Sequence, residues 1–128
     1  MIFVDTNVLM YAVGREHPLK AEARAFFREH VGLRTRLVTS AEVLQELMHA
    51  YLPVRREREL DSALALVEAV FADVWPVEAE DVRLARSLTR NHPGLPARDL
   101  LHLASCRRRD VDTIQTYDRG LAAASSGK

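Results

Sequence analysis

The chain has one cysteine, Cys106, and two lysines, Lys20 and Lys128, among its 128 residues. A lone cysteine cannot form an internal disulfide, which is typical of proteins from reducing compartments, and its helix-like neighbours indicate a structural role. No apolar run approaches the ~20 residues that cross a bilayer. Asp5 interrupts the N-terminal apolar run before a signal peptide could form. We therefore expect a cytoplasmic protein that does not bind membranes.

A formal net charge of zero gives no global positive field that would indicate a nucleic-acid partner. The basic residues are nearly all arginines, and they cluster at 55–58 and 107–109. These clusters fit either phosphate contacts or solvated helix ends, and the sequence leaves both open. The chain also lacks a glycine-rich phosphate loop, a Ser-His-Asp arrangement and zinc-spaced Cys/His pairs. Their absence excludes nucleotide-dependent kinases, serine hydrolases and zinc fingers.

Short apolar runs alternate with helical patterns along the chain. Residues 2–4 are typical of a strand buried on both faces, and 36–39, 74–77 and 112–116 predict further strands. Pro76 restricts the strand predicted at 74–77 to an edge of the sheet or to a strand end. The pattern predicts an α/β fold in which helices cover a short, mainly parallel central sheet. A composition of 48% hydrophobic residues suits one domain over residues 1–128, with a frayed tail from about Ala124.

The predicted helices have recognisable boundaries. His17-Pro18 begins one that ends near Gly32, and Ser40 is a suitable N-cap for a helix over 41–51. Further helices are predicted over 56–72, 78–90 and 98–109, with Val82 facing inward in the second of them. The apolar segment 8–13 predicts one or two buried helical turns, and a short C-terminal helix follows residue 118. The stretch 91–96 is the clearest loop.

Acidic residues occupy four sequence-distant positions at strand ends or on helices that follow strands or loops. Asp5 ends the first strand, and Asp118 comes two residues after the last. Asp99 begins a helix after the proline-rich loop, while Glu42 and Glu46 share one face of the helix after the second strand. Sites in open parallel sheets form beyond the carboxyl ends of the strands. We therefore expect these carboxylates to converge.

Clustered carboxylates repel one another, so some become protonated unless a cation neutralises them. Oxygen ligands favour Mg²⁺ or Mn²⁺, and such ions promote attack of water on phosphorus. The expected chemistry is phosphodiester hydrolysis. Taken singly, Asp99 also fits a helix N-cap and Asp118 a turn residue.

Four segments carry a family resemblance: Asp-Thr-Asn-Val-Leu at 5–9, Val-Leu-Gln-Glu-Leu at 43–47, Arg-Asp-Leu-Leu-His-Leu-Ala at 98–104 and Thr-Tyr-Asp-Arg-Gly-Leu at 116–121. In this order they resemble the four motifs of PIN-domain nucleases over nearly the whole chain. A small domain without extensions is similar to the VapC-type toxins of bacterial and archaeal toxin–antitoxin pairs. Gly120-Leu121 departs from the fourth motif, where an acidic residue and an aromatic often occur.

The resemblance implies a PIN-like three-layer α/β/α sandwich and metal-dependent endoribonuclease activity on RNA. It also implies a cognate antitoxin and a homodimer. Carried over by position, the catalytic and metal-binding acids are Asp5, Glu46, Asp99 and Asp118.

The resemblance also suggests residues that support these acids. Thr6 or Asn7, together with Thr116, would orient carboxylates through hydrogen bonds. Glu42 is placed with these supporting residues and competes with Glu46 for the second acidic position, although the Val-Leu-Gln-Glu context favours Glu46. His102 falls three residues after Asp99 on an adjoining part of the same helix face, so contact with the site is one interpretation, but we favour a partly buried histidine with a satisfied hydrogen bond.

Two rival functions stay open. An aspartate-based phosphatase would use Asp5 as the nucleophile, but Asn7 stands where such sites carry a second aspartate, and a supporting lysine is hard to find. A non-catalytic module that binds RNA or protein on the same fold is the rival from a different class. A solvated acidic surface without a site is the plainest alternative.

Overall fold

The computed structural model describes residues 1–126. Its elements are β1 (Ile2–Val4), α1 (Thr6–Val13), α2 (Pro18–Gly32), β2 (Leu37–Ser40), α3 (Ala41–Tyr51), α4 (Glu57–Val70), β3 (Asp73–Trp75), α5 (Ala79–Leu88), α6 (Ala97–Arg108), β4 (Ile114–Gln115) and α7 (Arg119–Ser126). The order of strands and helices matches the prediction, with differences at the element ends. The last strand is shorter than predicted.

The four strands pair in the order β3-β2-β1-β4, and each pairing is parallel. Phe3 in the centre lies opposite Val38 on one side and Ile114 on the other. β3 is an edge strand that ends at Trp75, so Pro76 falls where its missing N–H costs no ladder bond. The strand order reverses between β1 and β4, and a crevice forms at such a point beyond the strand ends.

Helices cover both faces of the sheet. Successive strand residues point to opposite faces, and both Phe3 and Val4 are fully buried. The larger hydrophobic cluster joins α1 to α4 with the sheet, while a smaller one joins α5, α6 and α7. This arrangement gives the three layers that the family resemblance implied.

Local capping explains where several helices begin. Asp5 is the N-cap of α1, and its side chain accepts a hydrogen bond from the Thr6 backbone N–H. His17 caps α2 through the Leu19 N–H, with Pro18 at the first position. Ser40 caps α3 as predicted, its hydroxyl accepting from the Val43 N–H at 3.4 Å.

A buried ion-pair network fixes α5 against the end of α6. Asp81 is fully buried and accepts from Arg108 Nη1 at 2.7 Å and Arg109 Nη1 at 2.8 Å. Arg109 also lies 5.0 Å from the centre of the Trp75 ring. The next residue, Val82, is 53% exposed, so the prediction that it faces inward was wrong. Asp81 takes the inner position on α5 instead of Val82, because Arg108 and Arg109 pair with its carboxylate.

The C-terminal segment also differs from the prediction. α7 continues to Ser126 and Ala124 is buried, so the expected fraying does not hold for residues 124–126, because the helix packs onto the smaller cluster. Residues 127 and 128 lie outside the described part.

Cys106 is buried in the larger cluster, and burial raises the pKa of its thiol. Within residues 1–126, no helix is long and apolar enough to cross a membrane.

Candidate active site

A cleft opens beyond the carboxyl ends of β1 and β4, between α3 and the start of α6. The residues that line it are Asp5, Thr6, Asn7, Met10, Glu46, His49, Ala50, Arg98, Asp99 and Asp118. All four acids that the resemblance singled out lie in this one cleft, although they are up to 113 residues apart in the chain.

Asp5 lies at the floor of the cleft and is only 5% exposed. Its Oδ1 accepts from the Thr6 backbone N–H at 2.8 Å, and its Oδ2 accepts from the Thr116 hydroxyl at 2.7 Å. Burial raises the pKa of Asp5, and it outweighs the opposing effect of His102 and of these hydrogen bonds. The structure therefore holds this carboxyl group in one orientation but disfavours its charge.

Glu46 reaches the cleft from the second turn of α3. The Thr6 hydroxyl and His102 Nε2 both hydrogen-bond its Oε1, the latter at 2.9 Å. Burial alone would raise the pKa of Glu46, but the hydrogen bonds from His102 and Thr6 outweigh it and lower the pKa. Glu46 is therefore the acid that these contacts keep ionised.

Asp99 is buried in the first turn of α6, where Pro96 takes the N-cap position. Burial and the nearby carboxylates of Asp118 and Asp5 raise the pKa of Asp99 to about 6. Asp118 is exposed, and its Oδ1 accepts from the Leu121 N–H in the first turn of α7. Asp118, considered from the sequence as a turn residue, thus makes a local hydrogen bond to α7 while lining the cleft. Asp99, considered as an N-cap, does not cap its helix.

Asn7 and Thr116 join the ends of β1 and β4. Asn7 Nδ2 donates to the Thr116 hydroxyl at 3.3 Å, and Asn7 Oδ1 accepts from the Tyr117 N–H at 3.1 Å. The Thr116 hydroxyl also accepts from the Asp118 N–H at 3.0 Å. These bonds tie Asp5 and Asp118 to the same polar cluster.

Glu42 does not line the cleft. It lies in the first turn of α3, four residues before Glu46, which places it about 6 Å farther along the helix axis. No hydrogen bond joins Glu42 to the other acids within residues 1–126. The structure therefore brings Glu46 to the cleft and leaves Glu42 outside it.

The cleft has two exposed basic side chains at its rim, Arg98 and His49. The charge of Arg98 helps the hydrogen bonds lower the pKa of Glu46 and partly offsets the larger effects that raise the pKa of Asp99, so it acts on both carboxylates. The arginine clusters seen in the sequence lie elsewhere. Two of these arginines, Arg108 and Arg109, are paired with Asp81, which favours the structural reading of that cluster.

His102 is part of the acidic cluster, which was the less favoured of the two interpretations of this residue from the sequence. It is buried and hydrogen-bonded, as expected, but its partner is Glu46, and Nε2 also lies 3.6 Å from Asp5 Oδ1. The signal was present in the sequence, because residues three apart share a helix face and Asp99 was already placed in the site.

The donor set could hold a divalent cation. Asp5, Glu46 and His102 each present one potential ligand atom, and these atoms lie within 4.8 Å of one another. Asp99 and Asp118 add carboxylates to the same cleft. The raised pKa values of Asp5 and Asp99 show how burial and repulsion disfavour the charged forms, and a bound cation would relieve both.

Fold, motif order and site geometry define the class of protein. The PIN domain family matches residues 2–126, and the chain belongs to this family. Ribonuclease VapC23 of Mycobacterium tuberculosis is 60% identical over 124 residues, which are 97% of this chain and 98% of the relative. Ribonuclease VapC13 of the same species is 38% identical over 120 residues, 94% of this chain and 92% of that one.

Solved structures share the fold at low sequence identity. The crystal structure of VapC20 from Mycobacterium tuberculosis, described as a sarcin–ricin loop cleaving toxin, has a TM-score of 0.82 at 20% identity. It covers 97% of this chain and 95% of that chain. VapBC2 from Rickettsia felis, bound to a DNA fragment from its promoter, has a TM-score of 0.66 at 16% identity, covering 92% and 88%. The predicted PIN-like fold is thus confirmed.

Proposed function

We propose that this protein is a metal-dependent endoribonuclease and the toxin of a toxin–antitoxin pair, with one nuclease domain over residues 1–128. The observation that carries the proposal is the meeting of Asp5, Glu46, Asp99 and Asp118 in one cleft. Similarity to Ribonuclease VapC23 over nearly the full length of both chains supports RNA as the substrate. Such a toxin would meet its RNA in the cytoplasm.

Asp5, Glu46, Asp99 and Asp118 would hold Mg²⁺ or Mn²⁺, since carboxylate oxygens suit these ions. When bound, the ion would supply activated water and would neutralise charge on the phosphate. Thr6 and Thr116 would fix the carboxylates through the hydrogen bonds described above, and Asn7 would hold Thr116. The geometry gives Glu42 no comparable role.

Arg98 is the residue best placed to contact the RNA backbone. Its guanidinium is exposed at the rim, close to two carboxylates that would hold the ion. Arginine binds phosphate through two parallel hydrogen bonds, so it would place a phosphate group at the mouth of the cleft. His49 offers a second donor on the α3 side.

We propose two kinds of assembly for this chain: it binds a cognate antitoxin, and it forms a homodimer. Met48, Leu52 and Val54 are 44–59% exposed at the end of α3, just beyond Glu46. We propose that the antitoxin covers this apolar surface with a helix or extended segment and so blocks the cleft. A short neighbouring reading frame whose product copurifies with this chain would support the pair, and light scattering would test the dimer.

The rival functions fit the geometry less well. An aspartate-based phosphatase would need a second aspartate two residues after Asp5, and Asn7 stands at that position. No lysine lines the cleft among the described residues. A module that only binds RNA or protein has no need for a cation, and calorimetric titration with Mn²⁺ separates it from the nuclease.

The test of the proposal is RNA cleavage with added Mn²⁺ by three variants, Asp5→Asn, Glu46→Gln and Glu42→Gln. The first two should lose cleavage, because each removes a charge from the cleft. Glu42→Gln is the matched control on the same helix and should keep wild-type activity. Undiminished cleavage by Asp5→Asn, with circular dichroism showing an intact fold, would overturn the proposal.

A further inference from the structure

His102 is held rigidly beside Glu46. The side chain is 1% exposed, and its ring packs against Phe3 with 5.4 Å between ring centroids. Nε2 lies 2.9 Å from Glu46 Oε1, and Nδ1 has no hydrogen-bond partner within residues 1–126. Because one ring nitrogen is hydrogen-bonded and the other has no partner, the geometry indicates which nitrogen carries the proton.

The hydrogen bond requires a proton on Nε2, because an ionised carboxylate only accepts. Nε2 carries this proton in the imidazolium and in the neutral Nε2–H form alike. An N–H at Nδ1 would be buried with no acceptor within the described chain, and that is costly, so a neutral ring favours its proton on Nε2 over the form with its only proton on Nδ1. The form with its only proton on Nδ1 is the one that would bind a metal through Nε2. The surroundings of the ring therefore favour a donor over a metal ligand.

Two donors meet on one oxygen of Glu46. The Thr6 hydroxyl and His102 Nε2 both bond Oε1, whereas Oε2 accepts no hydrogen bond from any of the described residues. The carboxylate is thus fixed from one side, with its other oxygen free for a cation.

We propose that His102 is a positioning residue, whose Nε2–H fixes Glu46 Oε1 so that Oε2 is available to the metal ion. This inference rests on the proposed function, since it assumes that Glu46 binds the ion. His102 acts through Glu46 and does not coordinate the ion itself. Removing such a supporting partner typically weakens metal binding by about 10–100-fold.

The experiment measures binding of Mn²⁺ alone, by electron paramagnetic resonance, to the full chain and three variants. His102→Leu removes the donor, and His102→Gln retains an amide N–H at a comparable distance along the side chain. His92→Leu is the matched control in the loop before α6, outside the cleft. We expect about 10–100-fold weaker binding for His102→Leu, near wild-type binding for His102→Gln and no change for His92→Leu. Equal affinity for wild type and His102→Leu, or failure of His102→Gln to restore binding, would overturn the inference.

Two spectroscopic measurements keep the inference testable even if His102→Leu fails to fold. Spin-echo modulation of Mn²⁺ bound to the wild type should show no directly coordinated nitrogen, and such a coupling would identify His102 as a ligand instead. Nitrogen-15 spectra of the metal-free wild type should show a proton on Nε2. A neutral ring with its proton on Nδ1 alone would also overturn the inference.

The outcomes separate this inference from the proposed function. If the wild type binds no Mn²⁺, the proposed metal dependence fails and the role of His102 fails with it. If Mn²⁺ binds and Glu46→Gln weakens it while His102→Leu does not, only the inference about His102 is lost.

Discussion

The Thr116 hydroxyl donates a 2.7 Å hydrogen bond to Oδ2 of Asp5, joining residues 111 positions apart in the chain. One follows β4 and the other follows β1, and these strands are neighbours in the sheet. The bond fixes the carboxylate at the floor of the cleft from the adjacent strand end. It therefore makes the geometry of the site depend on the pairing of the first and last strands.

Thr116→Val should weaken Mn²⁺ binding by about 10–100-fold, because it removes a hydrogen bond that orients the Asp5 carboxylate, which we propose binds the ion. The methyl group replaces the hydroxyl with little change in volume, so the fold should persist. Calorimetric titration with Mn²⁺ measures the effect. Thr116→Ser retains the hydroxyl and should bind as the wild type does, and equal loss in both variants would contradict the explanation.

Arg98→Ala should weaken binding of single-stranded RNA and reduce its dependence on salt. One lost phosphate contact lowers the slope of log affinity against log salt concentration by about 0.7 for single strands. Binding is measured by fluorescence anisotropy in EDTA, so that no RNA is cleaved. Arg28→Ala, an exposed position on α2 away from the cleft, is the control and should leave the slope nearly unchanged. An unchanged slope for Arg98→Ala would count against its role.

Adding Mn²⁺ should raise the melting temperature of the wild type, and EDTA should reverse the shift. A ligand at 100 times its dissociation constant stabilises the folded state by about 2.7 kcal/mol when it binds only that state. Relief of repulsion among the buried carboxylates is the physical source. Differential scanning fluorimetry measures the shift, and Asp5→Asn should show little of it. An equal shift in that variant would place the ion elsewhere.

Asp81→Asn should destabilise the protein by roughly 2 kcal/mol, because the buried carboxylate loses its charge-assisted hydrogen bonds from Arg108 and Arg109. Urea unfolding at pH 7 measures the change. Glu80→Gln is the control on the same helix, since the Glu80–Arg83 pair is exposed and should contribute below about 1 kcal/mol.

The effect of Asp81→Asn should also depend on pH. Burial opposes ionisation of Asp81, but hydrogen bonds from Arg109, the Glu78 N–H and Arg108 outweigh it and lower the pKa to about 2. Because the folded-state pKa lies below the unfolded value of about 3.9, the contribution is complete above pH 4 and lost as the pH falls towards 2. The stability difference between wild type and Asp81→Asn should therefore shrink over this range. A constant difference would contradict the assignment.

Much of the fold was predictable because its signals are local. The apolar run at 2–4, the Ser40 cap and the restriction at Pro76 depend on nearest neighbours in the chain, and each appears in the structure. Errors arose where contacts between distant elements decide the outcome. Val82 is exposed and Asp81 buried because α6 supplies two arginines, which no pattern within α5 indicates.

In the site, too, some residues were predictable from local sequence signals and others were not. Motif order indicated the four acids, and helix geometry explains why Glu46 reaches the cleft while Glu42, one turn earlier, does not. The spacing from Asp99 placed His102 near the site, but its partner, Glu46, could not be read from the sequence alone. A buried histidine has the same local pattern whether it faces a core residue or a carboxylate, and here the partner lies 56 residues away on another helix.

By itself, the sequence determined the alternation of strands and helices and the placement of acids at their ends, since backbone preference and hydrophobic periodicity act over a few residues. Only the tertiary structure decided which carboxylate oxygens accept hydrogen bonds, which acidic side chains lie close enough to repel one another, and which arginines form ion pairs with Asp81. Hydrogen bonds and charge interactions weaken steeply with distance, so they depend on how remote segments pack.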